Sequence, residues 1–130
     1  MISPVHVAAS CPEAFRRVVE HRDVNTAVFG LVGGVLGVAA EANWTPEEMI
    51  ARLPADQARL LAHEVPFATH AGARRRAHLL IWWMPAAAHG HEAAYGSAFE
   101  VLRELCGAPV HLIARTSEHL AYPRLVALAG

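Results

Sequence analysis

The sequence predicts an α+β or α/β fold in which a mixed sheet of four to five strands packs against helices. Three observations point there. Strand-like apolar runs alternate along the chain with amphipathic stripes of helical spacing, the arrangement that lays helices on a sheet. Helix starts and stops punctuate that alternation, most clearly Thr45-Pro46-Glu47-Glu48 and the pair Gly107 and Pro109. The third is composition: 130 residues, 54% apolar and 18% charged, suffice for one real core, so 1–130 reads as a single domain.

The first strand covers residues 5–9, behind Pro4. Ser10-Cys11-Pro12-Glu13 then has the form of a capping box, the serine oxygen taking a helix-start amide while the glutamate reaches back. Phe15, Val18 and Val19 give that helix one apolar stripe, with Arg16, Arg17 and Glu20 outside it. Residues 26–40 admit a hairpin, one long bent strand or a buried small-residue helix. The hairpin is preferred, because the sequence is nearly palindromic about Gly33-Gly34 and both glycines tolerate positive φ. These glycines lack the Gly-x-Gly-x-x-Gly spacing of a phosphate loop.

Thr45 caps the next helix, Pro46 takes its first position, and Met49, Ile50 and Leu53 form its apolar edge. Pro54 is expected to restart a second helix carrying Ala58, Leu61 and Val65, stopped by Pro66; residues 67–75 then read as a loop. Residues 78–84, HLLIWWM, are apolar on both alternating faces, as in a strand covered on both sides. A helix follows over about 91–106, with Tyr95, Ala98, Phe99, Leu102 and Cys106 on one stripe. Residues 110–115 make a further strand, and Thr116-Ser117 open a tail interrupted by Pro123. Residues 4–84 fit a βαββαβ order, so a ferredoxin-like core with C-terminal additions is one specific arrangement.

Composition excludes several functions. A net charge of −1 offers no field for nucleic acid or an anionic membrane. All eleven basic residues are arginine, so neither a Schiff-base lysine nor a P-loop lysine exists. Cys11 and Cys106 are too few for a disulfide framework or a Cys-rich zinc site. The most apolar segment, 27–40, is well short of the ~20 residues that span a bilayer, and the N-terminus lacks a signal-peptide pattern. A reduced, soluble, cytoplasmic protein without a cofactor is expected.

Candidate sites remain among the histidines, arginines and tryptophans. His89-Gly90-His91 has a metal-like spacing, but the other ligands of a closed site are missing, and no metal is assigned. His6, His78 and His111 fall in strands as structural residues; His63 and His70 are expected at the surface. If the strands ending near Ala9, Met84 and Arg115 run parallel, their carboxyl ends share one sheet edge. That edge gathers Cys11, His89, His91 and His119 as catalytic candidates, with Ser10, Thr116 and Ser117 beside them as binding residues. Cys11 at a helix start has the placement that favours a thiolate. Arg74, Arg75 and Arg76 are a candidate phosphate or partner contact. Trp82 and Trp83 must face opposite sides of their strand, so one needs a second apolar layer, either covering helices or another subunit.

Two classes follow. The preferred one is a small non-enzymatic binding, accessory or regulatory protein that works through an apolar-aromatic surface, forms a homodimer and binds another protein. The alternative is a small Cys/His-dependent or metal-assisted hydrolase built at the strand edge. Every cap and stripe is explained by folding and no catalytic set is complete, which favours the first.

Overall fold

The computed structural model describes residues 5–21, 23–88, 90–107 and 110–129. Its first decisive feature is the turn at Gly33-Gly34, where φ values of 59° and 78° place both residues in the left-handed region. The turn joins β2 (Thr26–Val32) to β3 (Val35–Ala42), and the palindrome sets the register: Val32 opposes Val35, Leu31 opposes Leu36, and Gly30 opposes Gly37. Before this hairpin lie β1 (His6–Val7) and α1 (Ser10–Arg16), which continues as one wide turn over Arg17–His21. After it come α2 (Pro46–Arg52), β4 (Arg59–Ala68), β5 (Arg74–Trp83), α3 (Glu92–Cys106), β6 (Val110–Ala114), a tight 3₁₀ turn at Ser117–Leu120, and α4 (Tyr122–Ala129).

The strands form one mixed six-stranded sheet in the order β1-β3-β2-β4-β5-β6. The two outer pairs, β1 with β3 and β5 with β6, are parallel; the inner pairs are antiparallel. Helices cover both faces. On one face α1 and α3 enclose Phe15, Val18, Phe29, Leu36, Leu60, Leu80, Trp82, Phe99 and Leu102. On the other, α2, the 3₁₀ turn and α4 enclose Val28, Met49, Leu61, Val65, Leu79, Ile81, Trp83, Leu120 and Leu125. The sheet curls enough for α3 to touch β1 as well as β4 and β5. Close approach of α3 needs Gly96, since a Cβ there would lie 3.2 Å from the Trp82 ring.

Local signals explain most boundaries. Thr45 Oγ1 accepts from the Glu48 amide at 3.1 Å, and Glu48 Oε1 accepts from the Thr45 amide at 3.1 Å, closing the capping box. Gly107 ends α3 with φ 61°. In the tail, Pro123 is the second residue of α4, a position where its missing amide costs nothing. The expected box at Ser10 does not form: Ser10 is already helical, the cap position is Ala9, and no side chain caps it.

The larger corrections concern residues 54–76. The expected second helix is the strand β4, and the expected loop at 67–75 shrinks to a turn, because Arg74, Arg75 and Arg76 belong to β5. Ala58, Leu61 and Val65 fit a helical spacing, but β4 is central and buried on both faces, so its apolar residues run on without alternation. Pro66 sits inside β4 at no cost in pairing. β2 has already stopped at the Thr26–His63 pair, and the Pro66 carbonyl turns to that free side, where it accepts from Tyr122 Oη at 2.7 Å. The six-strand order also replaces the four to five strands and the ferredoxin-like βαββαβ core expected for 4–84.

Candidate functional site

Strand directions decide the fate of the edge constellation. Counting across the sheet, β1 runs opposite to β5 and β6. Ser10 and Cys11, after β1, therefore lie at the other edge from His91, Thr116, Ser117 and His119. The 15-residue helix α3, about 22 Å long, spans that separation. The second group does meet: the Met84 amide donates to the Ala114 carbonyl at 2.8 Å, and Arg115 reaches Glu92 at 3.4 Å. There His91 occupies the cap position of α3, and His119 Nδ1 accepts from the Arg115 amide at 3.1 Å. Thr116 and Ser117 are exposed. His89 lies outside the described residues.

Cys11 is no nucleophile in this setting. It is wholly buried, its Sγ donates to the Leu36 carbonyl at 3.3 Å, and burial pushes its thiol pKa up despite the adjoining helix-start groups. Cys106 is pushed up to about 12, again by burial. Among the described residues, no group of three or more His, Cys, Asp or Glu side chains could hold a metal ion.

Trp82 and Trp83 point to opposite faces, and helices cover both. Trp82 stacks obliquely on Phe99, ring centroids 5.7 Å apart, and is 8% exposed. Trp83, 7% exposed, donates Nε1–H to the Pro54 carbonyl at 2.7 Å. They are packing residues and not a binding surface, so they leave no uncovered layer for a second subunit.

The arginines are different. β4 pairs with β2 only through His63, and β5 pairs with β6 only from Leu79 onward. Beyond those limits the two strands continue as a ribbon with no third strand beside it among the described residues, with Pro66, Phe67 and Ala68 opposite Arg76, Arg75 and Arg74. All three arginines are exposed, and none makes an ion pair among the described residues. They line a concavity of about 600 Å³ with Pro66, Phe67 and Ala68. At the base of the ribbon, His78 and Glu64 face each other across the ladder at 3.1 Å.

A family model for cofilin/tropomyosin-type actin-binding proteins matches residues 4–127. The chain belongs to that family. Among solved structures it is similar to a cofilin from Streptomyces griseoflavus, 19% identical, with TM-score 0.87 over 97% of this chain and 99% of that one. It is also similar to actin depolymerization factor 2 of Plasmodium berghei, at 18% identity and TM-score 0.81 over 99% and 98% of the two chains. A third likeness is to coactosin from Entamoeba histolytica, at 16% identity and TM-score 0.83 over 98% and 96%. At these identities the likenesses speak for the fold. No curated protein sequence matches the chain.

Family membership supports the binding and regulatory class over the hydrolase. The cofilin-type fold also accounts for the six-stranded curled sheet that the residue pattern did not reach. Two features of the site escaped sequence reasoning. One is the ribbon, hidden because the arginines looked like loop. The other is His63, expected at the surface but only 1% exposed between β2 and β5. Its Nδ1 lies 2.8 Å from Thr26 Oγ1, and burial lowers its pKa to about 4. The signal available for His63 was its place in an apolar run two residues from Leu61 and Val65, the period of a strand.

Proposed function

We propose that the protein binds actin and that the ribbon of Arg74, Arg75 and Arg76 is its principal contact. The family match over 4–127 carries the partner. The ribbon supplies the surface: three exposed guanidinium groups, without ion-pair partners among the described residues, on a two-stranded support, with only Arg75 turned back to a carbonyl, that of Arg74 at 3.1 Å. Such an array suits an acidic protein surface, because arginine forms bidentate bonds to carboxylates and is weakly hydrated. We assign the apolar part of the contact to the outer side of α3, where Val101 and Leu105 are exposed, in place of the buried tryptophans. We read the chain as one cytoplasmic domain acting without chemistry of its own. No helix among the described residues is long and apolar enough to cross a membrane.

The test is direct binding. Labelled protein is titrated with actin monomers and, separately, pelleted with filaments. Saturable binding to either form is expected, weakening as salt rises because the contact is charged. Absence of binding to both at low salt contradicts the reading.

Self-association keeps one observation in its favour. At the hairpin tip Val32 is 82% exposed and Val35, opposite it, is also exposed, so the tip presents an apolar point to solvent. Light scattering across a concentration series distinguishes a dimer from a monomer.

A further inference from the structure

We propose that the cavity beside His63 is a binding site for a small neutral aromatic molecule carrying one N–H or O–H donor. This site is separate from the actin reading and does not depend on it. The cavity, about 480 Å³, lies where α2 begins, along the free side of β4 and under Tyr122. Trp44, Pro46, Val65 and Pro66 give it flat, apolar walls, a setting that holds an aromatic ring by stacking and burial.

The polar chemistry of the cavity follows from a chain of hydrogen bonds whose direction is fixed. Asn25 is clamped to Trp44: its Nδ2 donates to the Trp44 carbonyl at 2.9 Å, and its Oδ1 accepts from the Trp44 amide at 2.8 Å. Oδ1 is thereby identified as the acceptor facing Thr26, and the Thr26 hydroxyl donates to it at 2.7 Å. A hydroxyl has one proton, so Thr26 Oγ1 must accept from His63 Nδ1 at 2.8 Å. The ring is neutral with its proton on Nδ1, and Nε2 carries a bare lone pair.

That lone pair has no partner among the described residues. Among the described residues the one fully enclosed side-chain nitrogen or oxygen without a partner is Trp82 Nε1, so His63 Nε2 keeps some surface although its residue is 1% exposed. The open space His63 adjoins is this cavity. A ligand that fills it must bring a donor to Nε2, since a buried acceptor left unpaired is costly. Carboxylates at Glu47 and Glu48 on the walls repel anions, and the apolar lining disfavours a full positive charge. A phenol or an indole has the required shape and donor.

The experiment uses the intact wild-type protein, labelled with ¹⁵N, and phenol as the probe, with anisole as a ring of similar size that lacks the donor. The His63 ring nitrogens and the Trp44 indole are followed by NMR at pH 7. Phenol should shift His63 Nε2 and the Trp44 signals saturably, and anisole should bind about tenfold more weakly, the worth of one hydrogen bond. Equal affinities for phenol and anisole overturn the proposal. So does the lack of any saturable shift, or a phenol shift that leaves His63 Nε2 unmoved.

Discussion

The β4–β5 hairpin is sheet interior over residues 59–63 and 79–83, and an isolated ribbon over 66–68 and 74–76. One ladder of ten residue pairs runs through both halves. In the inner half each strand has a second neighbour, β2 or β6, and Leu60, Leu61, Leu80 and Ile81 are fully buried between two layers of helix. In the outer half neither strand has another strand beside it among the described residues, and its side chains are three arginines, a proline, a phenylalanine and an alanine. The same backbone pairing thus serves two purposes. Inside, apolar burial stabilises the fold; outside, the ladder carries the three exposed guanidinium groups that we propose as the partner contact.

Breaking the inner half should have the largest effect. Leu61→Ala removes a fully enclosed side chain from between β2 and β5, and about 3 kcal/mol of stability should go with it. Denaturant melts measure this directly, and a loss under about 1 kcal/mol would mean that the centre of the sheet is loosely packed.

His63, at the boundary between the halves, should make stability depend on pH. Its pKa falls from an ordinary 6.5 to about 4 in the folded state, so the unfolded chain binds the extra proton between those values. Stability from this group is therefore full above pH 6.5 and is lost progressively as pH falls toward 4, by an amount of order 3 kcal/mol. Melting curves between pH 7 and 5 should show the decline, and His63→Phe should flatten it. An equal slope in both proteins would assign the effect to other groups. A smaller change is expected from Thr45→Ala, outside the hairpin, at about 1 kcal/mol for the lost acceptor of the Glu48 amide.

How much of this was legible depended on whether neighbours in sequence or neighbours in space set the structure. The Gly33-Gly34 turn, the Thr45 box, the α3 stripe and the strand around Trp82 and Trp83 are local patterns, and the sequence carries them openly. β4 is not local. Its Leu60, Leu61 and Ala62 are apolar because two layers of helix cover them, and that burial erases the alternation by which a strand is recognised. The candidate site failed for a related reason. Ser10 and Cys11 could join His91 and His119 only if β1 ran parallel to β5, and strand direction is set by pairing far along the chain. The three arginines stand out in the sequence as a basic run, but the pairing that turns them from a loop into a ribbon involves Pro66, which argues locally against a strand.

The most direct test of the division between the halves replaces the three arginines together. Arg74→Ser, Arg75→Ser and Arg76→Ser all lie at exposed positions without ion pairs among the described residues, so each should shift stability by at most about 0.5 kcal/mol and the three together by at most about 1.5 kcal/mol. Pelleting of this variant with actin filaments, beside the wild type at the same salt, should show affinity reduced by at least about tenfold. A variant that folds normally and binds actin as tightly as the wild type would contradict the account, and the contact would have to lie elsewhere on the molecule.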